Sequence, residues 1–115
     1  MSPDRWQDRV RVMLEDIERI HVFIADLEPA AFKNDEKTVF AVCYAFVRLG
    51  EAIFHLPAPV MEAHPEVEWG EIRHFRNFMV HVYPSVDPSH LYETAKRDLG
   101  PLAAKLRAVL AEHPD

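Results

Sequence analysis

Apolar residues recur every three or four positions near the start of the chain. They are Trp6, Val10, Met13, Ile17, Ile20, Ile24 and Leu27. This spacing places them on one face of an α-helix, because such a helix completes a turn in about 3.6 residues. Ser2 and Pro3 suit the cap and the first position of the helix, and Pro29 ends it. The pattern therefore predicts an amphipathic helix before Pro29.

The next apolar segment, before Pro57, is apolar on two faces. One stripe consists of Val39, Val42, Phe46, Leu49, Ile53 and Leu56, and a second runs beside it through Phe40, Cys43, Val47 and Phe54. A helix with two apolar faces is buried on two sides, so it is either central in the fold or shared with another subunit. Gly50 lies in its middle, where glycine costs about 1 kcal/mol relative to alanine. A close approach of another helix at Gly50 would justify that cost.

Two more helices are predicted in the second half of the chain. The third runs from Glu68-Trp69 to about His81, and its apolar stripe is Ile72, Phe75, Met79 and Val82. The fourth begins near Asp87-Pro88, and its stripe is Tyr92, Ala95, Leu99, Leu102, Leu106 and Val109. Pro101 should kink this last helix, because proline removes a backbone donor from the helix interior.

Short links join these helices. Phe32 to Asp35 is predicted to be a polar connection in which Asn34 or Asp35 caps the second helix, and one helical turn is expected around Val60 to Ala63. The sequence has no internal repeat and no low-complexity segment. It therefore predicts a single all-α domain over residues 1–115, an antiparallel four-helix bundle with a kinked last helix.

Composition narrows the class of protein. The net charge of −6 argues against a general nucleic-acid coat protein, which would be basic, although a local basic patch is allowed. Cys43 is the one cysteine, so no intrachain disulfide can form and a reducing compartment fits. The charged start of the chain does not resemble a signal peptide, and the longest apolar run, Val39 to Val47, is too short to span a bilayer. We expect a cytoplasmic protein without a membrane segment.

The candidate chemistry is concentrated between Arg76 and Tyr83. Arginine offers a fork of donors for phosphate oxygens, and His81 near a helix C-terminus has its cationic form favoured by the helix dipole. A metal-free ribonuclease needs this pair, with imidazole to move protons and a cation to stabilise the phosphorus transition state. Five helical steps separate the two by about 140°, so only the long arginine, a loosened helix end before Pro84 or a dimer could unite them. The alternative is a structural arginine and a helix-end histidine.

The motif Arg76-Asn77-x3-His81-x-Tyr83, followed by Val86-Asp87, resembles the signature of the HEPN superfamily in its HepT-like branch. Leu49-Gly50-Glu51-Ala52 is similar to the Ile-Gly-Glu-Ala element of that family, and His64-Pro65 through Trp69 is similar to its approach to the third helix. Asp98-Leu99-Gly100-Pro101 also fits the family pattern. The resemblance covers nearly the whole chain in the right order and implies an HEPN-like helical fold.

The resemblance also implies a function. Members of the family are metal-independent endoribonuclease toxins that act as homodimers with a shared cleft, in a type VII-like toxin–antitoxin pair. A minimal nucleotidyltransferase antitoxin neutralises them by adding AMP to the motif tyrosine, here Tyr83. Arg76 would stabilise the transition state, His81 would transfer protons, and Tyr83 would accept AMP or contact RNA. The resemblance implies no metal and no cofactor.

Other residues near the motif have a structural explanation beside the functional one. Asn77 could orient His81 or contact RNA, or simply face solvent. Glu51 could hydrogen-bond into the cleft or lie on a helix surface. Arg73 and His74 could extend a phosphate track or belong to a solvated face. The aromatic rings that could stack bases are better explained by core or dimer packing; they are Trp69, Phe75 and Phe78.

Two other functions are compatible with the pattern. Glu18-x-x-His21 and Glu71-x-x-His74 each have the spacing found in di-iron carboxylate bundles, although such a site needs further inward glutamates. The chain could also be a non-catalytic helical module that binds a nucleotidyltransferase. The joint presence of Arg76 and His81 favours the nuclease.

Overall fold

The computed structural model describes residues 5–82 and 86–115, and across these ranges the chain forms helices and no strand. The helices are α1 (Trp6–Ile24), α2 (Pro29–Lys33), α3 (Glu36–Glu51), α4 (Ala58–Ala63), α5 (Trp69–Val82) and α6 (Pro88–Glu112). A 3₁₀ helix over Ala52–His55 continues directly from α3. The all-α prediction is confirmed, and the four predicted helices are the four longest observed ones.

The core lies between α1, α3 and α6, with α5 packed against α3. All six members of the first α3 stripe are buried, and so are the central members of the α1 stripe from Val10 to Ile24. The second α3 stripe is different, because Phe40 and Phe54 remain exposed. The helix is therefore central in this chain and also presents an apolar face to its surroundings. The antiparallel arrangement and the kink at Pro101 stay predictions, and α6 continues as one helix through Pro101.

The polar link predicted over Phe32 to Asp35 is wrong at Phe32. Phe32 lies in α2 and is fully buried, with its ring centroid 5.4 Å from that of Tyr92. The Tyr92 hydroxyl donates a hydrogen bond of 2.7 Å to the Leu27 carbonyl, which holds the end of α1 beside α6. A helix of five residues is too short to show a periodic pattern, so the apolar spacing could not indicate it.

Side chains of the expected type cap the helices that frame the site. Asp35 accepts a hydrogen bond of 3.1 Å from the Thr38 amide at the start of α3, as predicted. Asp87 accepts one of 2.9 Å from the Ser89 amide at the start of α6. Both caps satisfy amide donors that have no partner inside the helix.

The start of α5 is fixed by a buried histidine in the loop before it. The indole Nε1 of Trp69 donates a hydrogen bond of 3.0 Å to the His64 carbonyl. The His64 ring lies 3.0 Å from a Glu66 carboxylate oxygen through Nδ1 and 2.8 Å from His113 through Nε2. His113 follows α6, so this network holds the first turn of α5 to the far end of the last helix.

The segment from Glu36 to His55 is long and apolar enough to cross a membrane by length and composition alone. Half of it is buried inside the protein, and its first stripe forms the centre of the core. These contacts are those of the core helix of a globular protein.

Candidate active site

Arg76 is the centre of a compact polar cluster between α5 and α3. Its Nη2 donates a hydrogen bond to Oε1 of Glu51, and its Nη1 donates one of 2.9 Å to Oδ1 of Asn77. The guanidinium carbon lies 5.2 Å from the centre of the Phe54 ring. The structure therefore brings together three predicted site residues, Arg76, Asn77 and Glu51, and adds an aromatic ring to them.

Gly50 makes this cluster sterically possible. A Cβ atom built on Gly50 would lie 2.2 Å from Cβ and 2.6 Å from Cγ of Arg76, and 3.4 Å from the Ile72 carbonyl oxygen. The first two atoms are close to the α5 backbone and cannot swing away as a side-chain tip could. The close helix approach predicted at Gly50 is confirmed, and the helix that approaches is the one that carries Arg76.

The charge of Arg76 is compensated but remains accessible. Its side chain is partly buried, whereas the paired Glu51 carboxylate is more exposed and lies at the edge of the cluster. Within the described ranges, the Nε atom of Arg76 is buried and makes no hydrogen bond. A phosphate oxygen at this edge could accept a hydrogen bond from the Arg76 guanidinium. Glu51, which already holds that guanidinium in place, is itself partly exposed to solvent.

His81 lies apart from this cluster. It is exposed in the last turn of α5. No hydrogen bond or ion pair joins His81 to Arg76 in the structure. On an ideal helix, His81 shares a face with His74, about 20° away, and not with Arg76. One copy of α5 thus presents the cation and the imidazole in different directions.

The remaining predicted site residues are placed as follows. Arg73 and His74 are both exposed on α5, and the Arg73 guanidinium carbon lies 5.5 Å from the centre of the Phe54 ring. Arg73 therefore lies beside the Arg76 cluster, and His74 lies on the His81 face. Tyr83 lies outside the described residues.

Sequence reasoning missed Phe54. Its position in the second apolar stripe of α3 indicated packing, yet the side chain is 51% exposed and contacts two guanidinium groups. Two of the rings that could have stacked bases are instead structural. Trp69 is buried, and Phe75 packs against Phe46 with 4.9 Å between ring centroids. The place of Phe54 one helical turn after Glu51 was the signal available in the sequence.

A second carboxylate–arginine cluster lies between α1 and α3 and has a structural role. Asp16 is buried, 2.8 Å from Nη1 of Arg19 and 3.4 Å from Nε of Arg48. Burial raises the pKa of Asp16, and the two guanidiniums oppose that shift. Arg48 is thereby held at the α1–α3 interface and takes no part in the Arg76 cluster.

The cavity between α3, α5 and α6 is unsuited to RNA. Its volume is about 250 Å³, with an apolar interior and the carboxylates of Glu68, Glu71 and Asp98 around it, against one lysine, Lys105. Hydrogen bonding to Glu68 and the charge of that residue raise the pKa of Glu71. Phosphates would be repelled from this opening, so the Arg76 edge is the better place for RNA.

The described ranges also contain no group of three or more His, Cys, Asp or Glu side chains placed to hold a metal ion. The pairs Glu18 with His21 and Glu71 with His74 therefore do not converge into the carboxylate cluster that a di-iron bundle needs. Glu71 faces Glu68 and the acidic cavity instead.

Comparison with known proteins gives a consistent result. The family model described as ribonuclease HepT-like matches residues 13–109. The chain belongs to the HepT-like family. It is 34% identical over 99 residues to "Probable ribonuclease HepT" of Thermococcus cleftensis, which covers 86% of this chain and 90% of that protein. A Methanocaldococcus jannaschii protein that is also named as an RNase is 25% identical over 100 residues, 87% of this chain and 83% of its own length. No solved structure matches the chain significantly.

The match covers every part of the candidate site of this HepT-like chain. It begins within α1 and ends near the last turn of α6, so Gly50, Glu51 and Phe54 lie inside it together with the whole of α5. The fold and the family assignment are therefore supported by the same stretch of chain.

We expect Gly50→Ala to destabilise this HepT-like protein by about 1–3 kcal/mol, because the added methyl group overlaps the Cβ and Cγ atoms of Arg76. Urea unfolding followed by circular dichroism measures the loss. Gly70→Ala is the matched control, since a Cβ atom at Gly70 meets nothing within 4 Å. That variant should stay within about 1 kcal/mol of the parent. Equal stability of the two variants would contradict the steric explanation.

Proposed function

We propose that this HepT-like protein is a metal-independent endoribonuclease of the cytoplasm. The observation that carries the proposal is the Arg76 guanidinium, anchored by Glu51 and Asn77 at a solvent edge, on the helix that ends in the exposed His81. The relatives' names as ribonucleases support the same substrate class. Arg73 adds a cation beside Arg76, where a second phosphate of the same strand could bind.

The chemistry follows from the two side chains. A neutral His81 imidazole accepts the proton of a ribose 2′-hydroxyl, and the oxygen attacks the adjacent phosphorus. Arg76 stabilises the negative charge that develops on the phosphoryl oxygens. The bond between phosphorus and the 5′-oxygen then breaks, and that oxygen takes a proton from the His81 imidazolium. The products are a 2′,3′-cyclic phosphate and a 5′-hydroxyl, and no metal ion is needed.

The first test is cleavage of total RNA by purified protein in the presence of EDTA. His81→Ala and Arg76→Ala should each lower the cleavage rate by about 100-fold or more, because each removes one catalytic group. His21→Ala is the matched control, since it removes an imidazole from α1 and should leave the rate unchanged.

The outcomes separate the candidate functions. Cyclic phosphate ends formed by the wild type and lost in His81→Ala support the nuclease. No cleavage by any form favours the alternative function, a non-catalytic helical module that binds a nucleotidyltransferase. Activity that appears only with added metal and is lost in His21→Ala would overturn the metal-free mechanism.

We further propose that the active form is a homodimer joined through α3 and α5. Phe40 and Tyr44 on α3 are 54% and 66% exposed, and Val80 on α5 is exposed beside them. A groove of about 320 Å³ runs between them, with Cys43 in its lining. Burial raises the pKa of the Cys43 thiol to about 11, so it stays protonated and adds to the apolar surface. Exposed apolar surface of this kind is typical of protein interfaces.

We expect Tyr44→Glu to convert the dimer into a monomer, because a carboxylate would lose its hydration in the apolar interface. Sedimentation velocity measures the mass, and RNA cleavage should fall in parallel. Val22→Glu is the matched control, since Val22 is 63% exposed on α1 and should tolerate the charge. A wild type that is monomeric and fully active would contradict the dimer.

The regulatory part of the proposal concerns Tyr83. We propose that a minimal nucleotidyltransferase antitoxin adds AMP to Tyr83 and so silences the toxin. Tyr83 follows His81 by two residues, so the added phosphate would compete with RNA for the cations of the site.

Protein isolated from its native host should then have an intact mass one adenylyl group above the sequence mass, and the modified form should not cut RNA. Tyr83→Phe expressed in the same host should show the unmodified mass, because it lacks the acceptor hydroxyl. An adenylyl group that persists in Tyr83→Phe would place the modification elsewhere.

A further inference from the structure

The ring of Phe54 lies against two arginine side chains in a protein of net charge −6. The guanidinium carbons of Arg73 and Arg76 lie 5.5 and 5.2 Å from its centre, both within the range of cation–π attraction. The two arginines are three residues apart on α5, so their side chains emerge from the same face of the helix. Phe54 comes from the 3₁₀ helix opposite and closes the group.

The two arginines differ in how their charge is balanced. Arg76 is paired with Glu51, whereas Arg73 has no carboxylate partner within residues 5–82 and 86–115. The group of Phe54, Arg73, Arg76 and Glu51 therefore carries a net positive charge. In a chain of net charge −6, such a patch is a specific attraction for an anion.

The aromatic part of the group is also open. Phe54 is 51% exposed even with both guanidiniums against it, so the fold leaves ring surface uncovered. Nucleobases stack on aromatic rings and on arginine planes, and phosphates bind arginine forks. An open ring and a guanidinium that has no carboxylate partner among the described residues, side by side, offer one surface for each half of a nucleotide.

We propose that Phe54 and Arg73 form a subsite for one unpaired nucleotide of single-stranded RNA, next to the phosphate held by Arg76. The base stacks on the exposed part of the Phe54 ring, and the phosphate of that nucleotide pairs with Arg73. This inference rests on the proposed ribonuclease function and deepens it, because it names the substrate class. A base inside a duplex has both faces covered by its neighbours, so the subsite selects single strands.

Binding should be measured without cleavage, in the His81→Ala protein. The probe is a fluorescently labelled single-stranded RNA oligonucleotide of mixed sequence, with the duplex of the same sequence as comparison, followed by fluorescence anisotropy. The duplex should bind more weakly than the single strand. Binding of the duplex as tightly as the single strand would overturn the subsite.

The variants at Phe54 separate stacking from shape. Phe54→Leu keeps an apolar side chain of similar length without a π-system, and should weaken single-strand binding by about tenfold. Phe54→Trp should restore binding to the parent level, and its added indole fluorescence should be quenched by the oligonucleotide. Phe23→Leu is the matched control, since Phe23 is exposed on α1 and should not affect binding. Parental affinity in Phe54→Leu would overturn the stacking role.

Arg73 is tested through salt. Arg73→Ala should reduce the slope of log affinity against log salt by about 0.7, the value for one phosphate contact on a single strand. Arg107→Ala, a cation exposed on α6, should leave the slope unchanged. An unchanged slope in Arg73→Ala would remove Arg73 from the subsite.

Cleavage by the otherwise wild-type chain distinguishes failure of the subsite from failure of the function. Phe54→Leu should raise KM more than it lowers kcat, because stacking holds the strand and does not take part in proton transfer. If RNA binds through Phe54 but the wild type does not cut it, the nuclease function is contradicted and the subsite is retained. If the wild type cuts RNA but Phe54→Leu leaves KM unchanged, the subsite is contradicted and the nuclease function is retained.

Discussion

The approach of α5 to α3 at Gly50 is the contact on which the rest of the site depends. Cβ of Arg76 occupies the space in which a side chain at Gly50 would stand, so the two helices meet almost backbone to backbone. That distance brings the guanidinium to Glu51, the next residue of α3, and to the Phe54 ring one turn further on. A larger residue at position 50 would force the two helices apart and break all of these contacts. Glycine lowers the stability of α3, and the contacts of Arg76 that it makes possible offset this loss.

The pairing of Arg76 with Glu51 both orders the cation and limits its charge. A guanidinium held by a carboxylate and by Asn77 loses little freedom when it binds phosphate, which is what preorganised electrostatic stabilisation requires. Its charge is partly compensated, however, and the protein as a whole repels RNA. Arg73, which has no carboxylate partner within the described ranges, supplies a further positive charge beside the pair. The cavity on the other side of this group is lined by the carboxylates of Glu68, Glu71 and Asp98, which would repel a polyanion.

The hydrophobic pattern was sufficient to place the long helices, because each has a continuous apolar stripe in the sequence. It could not find α2, whose single buried ring, Phe32, gives no period to detect. For the site, the resemblance to the HepT-like family indicated Glu51, Arg76, Asn77 and His81, and the structure brings the first three together. Phe54 escaped because an aromatic residue in an apolar stripe is ordinarily core. Phe54 lies in the 3₁₀ helix after α3, and a one-dimensional apolar pattern does not show which of its positions the neighbouring helices leave uncovered.

The geometry of α5 also relates the proposed dimer to the proposed chemistry. Met79 and Arg76 both lie on the face of α5 that packs on α3, where Arg76 reaches Glu51, and His81 is exposed. On an ideal helix Arg76 and His81 are about 140° apart, so the two side chains leave α5 in different directions. In the proposed dimer, the apolar surface around Tyr44 and Val80 brings a second α5 alongside the first. The surplus apolar stripe of α3 and the separation of Arg76 from His81 would then have one common explanation.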